Sequence, residues 1–152
     1  MSGFLKFNII TESTVEQRLD IYDLKTHEVA TQAMVENTES LLGKSMRIVP
    51  HDEGLLEGSG SARVNDVEVA HVEPEGESES HHVVLVGQPP PATPGSAIVG
   101  EVSYNKPYAA RQHEELSYRH KEGRQAKYLE NPLKEFVREF AQNIADAIRR
   151  VR

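Results

Sequence analysis

Residues 100–152 read GEVSYNKPYAARQHEELSYRHKEGRQAKYLENPLKEFVREFAQNIADAIRRVR, and their interpretation decides the fold. The run opens inside an alternating segment, Ala97 to Tyr104, with the pattern of a strand. A dense polar and aromatic segment follows, Lys106 to Leu129. A helix is then predicted to begin at Asn131-Pro132. Asn131 is suited to accept a hydrogen bond from a free first-turn N–H, and Pro132 has no N–H to lose there. Leu133, Phe136, Val137, Phe140, Ile144, Ala147, Ile148 and Val151 recur at helical spacing and form one apolar stripe. Arg149, Arg150 and Arg152 stand at the end of this helix, where positive charge suits the dipole. A stripe of this kind normally completes the protein's own core.

Upstream, Phe4 to Ile10 is short and apolar, and reads either as an edge strand or as a docking arm within residues 1–12. Ser13 or Thr14 is placed to cap a helix with Glu16 and Gln17 in its first turn. Val15, Leu19, Tyr22, Val29, Ala33, Leu41 and Met46 then give a broken apolar stripe, so a long, mostly polar helix is predicted, ended by Pro50. Gly54, Gly58 and Gly60 mark a loop. Ser61 to Val72 reads as strand, either continuous or turning at Asn65-Asp66. His82 to Val86 is the most apolar run and is predicted to be a central strand covered on both faces. The proline-rich loop 87–96 is predicted to be exposed and semi-rigid. The order gives an α+β fold: a long N-terminal helix, an antiparallel sheet of about three to four strands, and a C-terminal amphipathic helix, with helices on one face. At 152 residues the chain reads as a single domain, 1–152.

Composition narrows the function. No cysteine is present, which removes disulfides and thiolate metal sites. No signal peptide and no membrane span are expected. The formal net charge of −7 argues against a general nucleic-acid binder, because phosphate affinity comes mostly from Lys and Arg. Charge is unevenly placed. Glu68, Glu73, Glu75, Glu77 and Glu79 make the middle acidic, whereas Lys121, Arg124, Lys127, Lys134 and Arg138 make the following region basic. Opposite patches of this kind suit head-to-tail association, and the bland reading is ordinary solvated surface.

Catalytic patterns are sparse. Gly43-Lys44-Ser45 lacks the upstream glycine and the preceding strand of a phosphate loop. No Ser or Thr stands in a nucleophile elbow. His113-Glu114-Glu115 offers a base beside a carboxylate, or simply a surface turn or an interface contact. His71, His81 and His82, with Asp52, Glu73 and Glu79 near them in sequence, raise the alternative of a small metal-dependent enzyme. Against it, His81 and His82 point to opposite faces of a strand and no paired ligand spacing appears. Catalytic residues, metal ligands and cofactors are therefore assigned to none, and no enzymatic activity is expected. A further alternative is a binding module whose proline-rich loop docks on an aromatic groove.

The segment before the last helix holds Tyr104, Tyr108, Tyr118 and Tyr128, four of the chain's five tyrosines, interleaved with charged residues. Tyrosine and arginine are enriched at protein interfaces. In the order YNKPYAARQHE (104–114), GRQAKYLENPL (123–133), then an amphipathic helix, the chain resembles the minor capsid or head–tail joining proteins of tailed phages with long non-contractile tails. Pro50 followed by Glu53-Gly54-Leu55-Leu56-Glu57-Gly58-Ser59 is similar to a second element of that family, which more often has Asp-Thr-Gly where this chain has Asp52-Glu53-Gly54. The resemblance implies a virion protein of the phage neck, made in the bacterial host cytoplasm. It would be a homo-oligomeric ring that joins the head connector to the tail or completes the tail's upper end. The implied partners are other copies of the chain and neighbouring head-connector and tail proteins. Double-stranded DNA would pass without specific binding, and no membrane would be involved. The expected subunit or partner contacts are Tyr104, Tyr108, Gln112, His113, Glu114, Tyr128 and Leu129. The acidic turn with Glu73, Glu75, Glu77 and Glu79 is a candidate for the channel wall.

Overall fold

The computed structural model describes residues 5–11, 13–20, 24–48, 59–74, 81–86, 97–104 and 128–151. In chain order the elements are β1 (Leu5–Thr11), β2 (Thr14–Leu19), α1 (Leu24–Met46), β3 (Gly60–Val64), β4 (Val67–Pro74), β5 (His81–Leu85), β6 (Ile98–Tyr104) and α2 (Glu130–Arg149). The strands form one six-stranded antiparallel sheet in the order β1-β2-β6-β3-β4-β5. The α+β class is as expected, but the sheet is larger than the three to four strands predicted. The first helix is not N-terminal, because two strands precede it.

The segment expected to start that helix is β2. Val15 and Leu19 are four apart, a spacing that fits a helix and an alternating strand equally well. Gln17 decides between them, since it lies between the two on the inward face and is 1 % exposed. A polar residue at an inward strand position hid the period of two. Likewise Phe4 to Ile10 supplies an edge strand, β1, paired with β2 from Leu5↔Leu19 to Thr11↔Thr14.

The hairpin between β3 and β4 turns at Asn65-Asp66, with φ of 49° and 66°. Two successive positive φ values define the primed turn whose twist matches the flanking strands, and Asn and Asp tolerate that region better than other non-glycine residues. Asn65 also fastens the hairpin to β6. Its N–H donates to the Val99 carbonyl at 2.9 Å, and its Oδ1 accepts from the Val99 N–H at 2.9 Å. A bulge in β4 sets Val69 and Ala70 side by side, both buried.

The apolar run at 82–86 is not a central strand. β5 lies at the sheet edge, paired only with β4 among the described residues, and Leu85 is 67 % exposed. The central position belongs to β6, which pairs with β2 on one side and β3 on the other. Ile98, Gly100, Val102 and Tyr104 point inward along it.

Helix α1 crosses β3, β4, β5 and β6, and α2 packs on α1 and reaches β1. Ala30, Met34, Leu41 and Leu42 of α1 are buried, but so are Thr31, Asn37, Thr38 and Ser45. This helix is covered on more than one side, which explains why its apolar stripe looked broken. Two of its buried hydroxyls are satisfied locally. Thr31 and Thr38 each donate to the carbonyl four residues earlier, at 2.7 Å. In α2, Leu133, Phe140, Ile144, Ala147 and Ile148 are buried as the stripe predicts. The helix starts one residue earlier than expected, however. Leu129 stands at the N-cap without a side-chain bond, and the Leu133 N–H bonds to its carbonyl at 3.1 Å. Asn131 is therefore no cap. Pro132 still lies in the first turn, where its missing N–H costs nothing.

The close approach of α1 to the sheet depends on Gly100. A Cβ there would collide with Thr38 Oγ1 and lie 2.9 Å from Met34 Sδ. Thr38 and Met34 are 1 % and 0 % exposed, so neither has room to move aside. We expect Gly100→Ala to destabilise the fold by roughly 3 kcal/mol, and therefore to lower Tm by roughly 6–12 °C for a chain of this size. Thermal unfolding followed by circular dichroism checks this, and an unchanged Tm would mean that the helix stands further from β6.

Candidate functional site

Three features of the described residues bear on function: an aromatic junction, a polar sheet face and a groove between the helices.

The aromatic junction joins the two flanks of the tyrosine-rich segment. Tyr104, at the end of β6, and Tyr128, just before α2, meet edge to face with ring centroids 5.1 Å apart and planes at 90°. The Tyr104 hydroxyl donates to Ser45 Oγ of α1 at 2.9 Å. An edge-to-face pair adds roughly 0.5–1.5 kcal/mol beyond its area burial. Tyr104, Tyr128 and Leu129 are 3 %, 0 % and 0 % exposed. The expectation that these three make contacts between subunits is therefore corrected, since their side chains fill this chain's own core. Tyr108, Gln112, His113 and Glu114 lie outside the described residues, as do Glu75, Glu77 and Glu79.

The face of the sheet away from the helices is polar. On β2, β6, β3 and β4 the outward positions carry Glu16, Glu101, Arg63 and Glu68, which follow one another across the register. At the β1 end, Asn8 Nδ2 donates to Glu16 Oε1 at 3.1 Å. Asp20 receives Arg18 at 3.4 Å and Lys6 at 3.8 Å. At the other end His71 sits between two carboxylates, with Nε2 at 3.1 Å from Glu73 and Nδ1 at 3.5 Å from Glu68. Exposed pairs of this kind contribute about 0–1 kcal/mol each, so their importance is the charge they present rather than stability. No sequence motif marks this row, because its members come from four strands.

Glu73 alone of the predicted acidic turn is described; it is exposed and engaged by His71. Of the histidines considered as metal ligands, His71 is bracketed by glutamates and His82 stands opposite Glu73 on β5, while the His81 side chain, Asp52 and Glu79 lie outside the described residues. Among the described residues no group of three or more His, Asp or Glu side chains is placed to hold a metal ion. The proline-rich loop 87–96 also falls outside them. No helix among the described residues is long and apolar enough to cross a membrane.

The groove between α1 and α2 has a volume of about 270 Å³ and is lined by Val29, Ala33 and Ala147, with Glu36 and Arg150 among its charged groups. On the next turn of α1, burial and the nearby Glu36 charge push the Glu39 carboxyl above the usual range. Among the described residues no nucleophile lines this groove. Comparison with protein-family models, characterised proteins and solved structures finds no match.

The hydrogen bond to Glu73, reinforced by Glu68 and opposed by partial burial, raises His71 above its ordinary 6.5. A raised folded value means that the protonated ring stabilises the fold. That contribution is full below about pH 6.5 and disappears as pH climbs through the folded value. An NMR titration of the His71 ring is expected to give a midpoint above 6.5 that falls in Glu73→Gln. A midpoint at or below 6.5 in the unaltered chain would refute the bracketing.

Proposed function

We propose that this chain is a structural protein of a tailed-phage neck, joining the head connector to the tail or completing the tail's upper end as a ring around the DNA channel. The observation that carries this reading is the paired segments 104–114 and 123–133, followed by an amphipathic helix. Two features of the fold support it. Tyr104 and Tyr128, one from each of those segments, are locked together in the core. The sheet has helices on one face and a charged, hydrophilic opposite face among the described residues, which suits a plate set beside identical plates.

The mechanism is geometric. Copies of the chain pack around the channel, and neighbouring head-connector and tail proteins bind above and below. Tyr108, Gln112, His113 and Glu114 remain the proposed contacts to those partners. Glu73, Glu75, Glu77 and Glu79 are proposed to face the lumen, where negative charge repels the phosphates and lets DNA slide. No reaction and no cofactor enter this reading.

Electron microscopy of lysates from a phage or prophage lacking the gene tests the role. DNA-filled heads beside free tails are expected. Tails of irregular length would move the protein to the layer that terminates the tail, and normal infectious particles would remove it from the neck. Glu75→Gln, Glu77→Gln and Glu79→Gln together are expected to slow DNA ejection from otherwise normal virions, and unchanged ejection kinetics would refute a lumenal position for this turn.

A further inference from the structure

We infer that the subunits of this protein join edge to edge, β5 of one copy pairing antiparallel with β1 of the next, so that the sheet continues from subunit to subunit. The inference rests on the ring reading above and names the surfaces that would build it.

Among the described residues no strand lies beyond either edge of the sheet. Among the described residues β1 pairs only with β2, and β5 only with β4. An unpaired strand edge presents a row of N–H and C=O groups that accept another strand, and monomeric proteins blunt such edges with proline, charged side chains, bulges or very short strands; β1 has Lys6 and a bulge, the bulge lying beyond Ile9. Neither LKFNIIT of β1 nor HHVVL of β5 contains proline, and the one charged side chain of the two strands, Lys6, points away from the helices.

Among the described residues, three of the four exposed large aliphatic side chains lie on these edge strands, and the fourth, Val67, follows the β3–β4 turn. Ile9 and Ile10 are 46 % and 52 % exposed on β1, and Leu85 is 67 % exposed on β5. They match in face as well as in character. Leu5 and Phe7 pack against the core from β1, and Ile9 continues that face by alternation. Val83 packs against the core from β5, and Leu85 continues the same helix-side face. Laying β5 beside a neighbouring β1 therefore extends one continuous apolar face.

Strand direction selects the partner edge. Every neighbouring pair in the six-strand order is antiparallel, so the two outermost strands run in opposite directions. A rotation that repeats the chain side by side, with the same face toward the helices, brings β5 against β1 in the antiparallel sense, the more stable of the two pairings. Length agrees too. β5 has five residues, and the regular part of β1 before its bulge, Leu5–Ile9, has the same number. Full overlap sets Leu85 beside Leu5 and Val83 beside Phe7. Because the two edges differ, the contact is head-to-tail and closes into a ring once the rotation completes a circle.

The test uses the full chain and two variants, Ile9→Lys and Leu85→Lys, each of which puts a charge on one edge at an exposed position. Sedimentation velocity across concentration is expected to show assembly beyond a dimer for the unaltered chain and monomers for each variant. An equal mixture of the two variants should form a dimer and nothing larger, because one sound β5 and one sound β1 remain between them. Thermal melting confirms that each variant is folded; one that melts far below the unaltered chain is replaced by Ile9→Thr or Leu85→Glu. Assembly that survives both variants would overturn edge pairing while leaving a ring held by another surface. Loss of assembly in only one variant would also overturn it, showing instead that an edge pairs with its own copy. A chain that stays monomeric up to its solubility limit would overturn edge pairing, and the neck role would then stand or fall on the particles seen by microscopy.

Discussion

One buried amide ties the layers of this protein together. Asn37, fully buried in the middle of α1, donates to Gln17 of β2 at 3.3 Å and to the Phe140 carbonyl of α2 at 3.0 Å, and accepts from Asn143 of α2 at 3.1 Å. Sheet, first helix and second helix therefore meet at a single side chain. A buried polar group left without partners costs about 1–3 kcal/mol, so removing Asn37 would strand groups on two other elements at once. The node also fixes register, because a helix shifted by one turn would lose all of these contacts together. It is not fully satisfied: Gln17 Nε2 is buried and bonds to nothing among the described residues. That orphan donor is a stability cost carried beside the contact that aligns the layers.

The same node shows why the sequence was only partly legible. Helix α2 was readable because its buried residues are apolar and its outward ones charged, so chemistry and geometry share one period. The Asn65-Asp66 turn was one of two open readings, since those residue types favour the positive φ that the hairpin needs. Helix α1 and β2 were harder because polar residues occupy inward positions: Thr31, Asn37, Thr38 and Ser45 in one, Gln17 in the other. A pattern rule that equates polar with exposed misreads both. The run at 82–86 misled in the opposite way, since an apolar strand reads as central even where it lies at the edge of the sheet.

The candidate site was legible in composition and not in placement. Tyrosines beside charged residues drew attention to the segment, yet sequence does not say which rings turn inward. Tyr104 and Tyr128 do, meeting each other in the core. The polar sheet face had no linear signal at all. Glu16, Arg63, Glu68 and Glu101 are scattered along the chain and become neighbours only through strand pairing. Hydrophilic outward positions of this sort are normal for an antiparallel sheet with helices on one side.

The position of β6 has a consequence for how the chain is made. β1 and β2 form one hairpin, and β3, β4 and β5 form a separate meander; among the described strands these two units share no hydrogen bond except through β6. Yet β6 is the last strand in sequence order. While the chain emerges from the ribosome, the two units must wait side by side, each with the flank meant for β6 exposed. Ile98–Tyr104 then closes the sheet as a keystone does an arch, and α2, synthesised after it, packs on α1 and reaches β1. Long-range closure of this kind is slow compared with local pairing. The pause before it is the time when these chains are most open to pairing with one another in the wrong order.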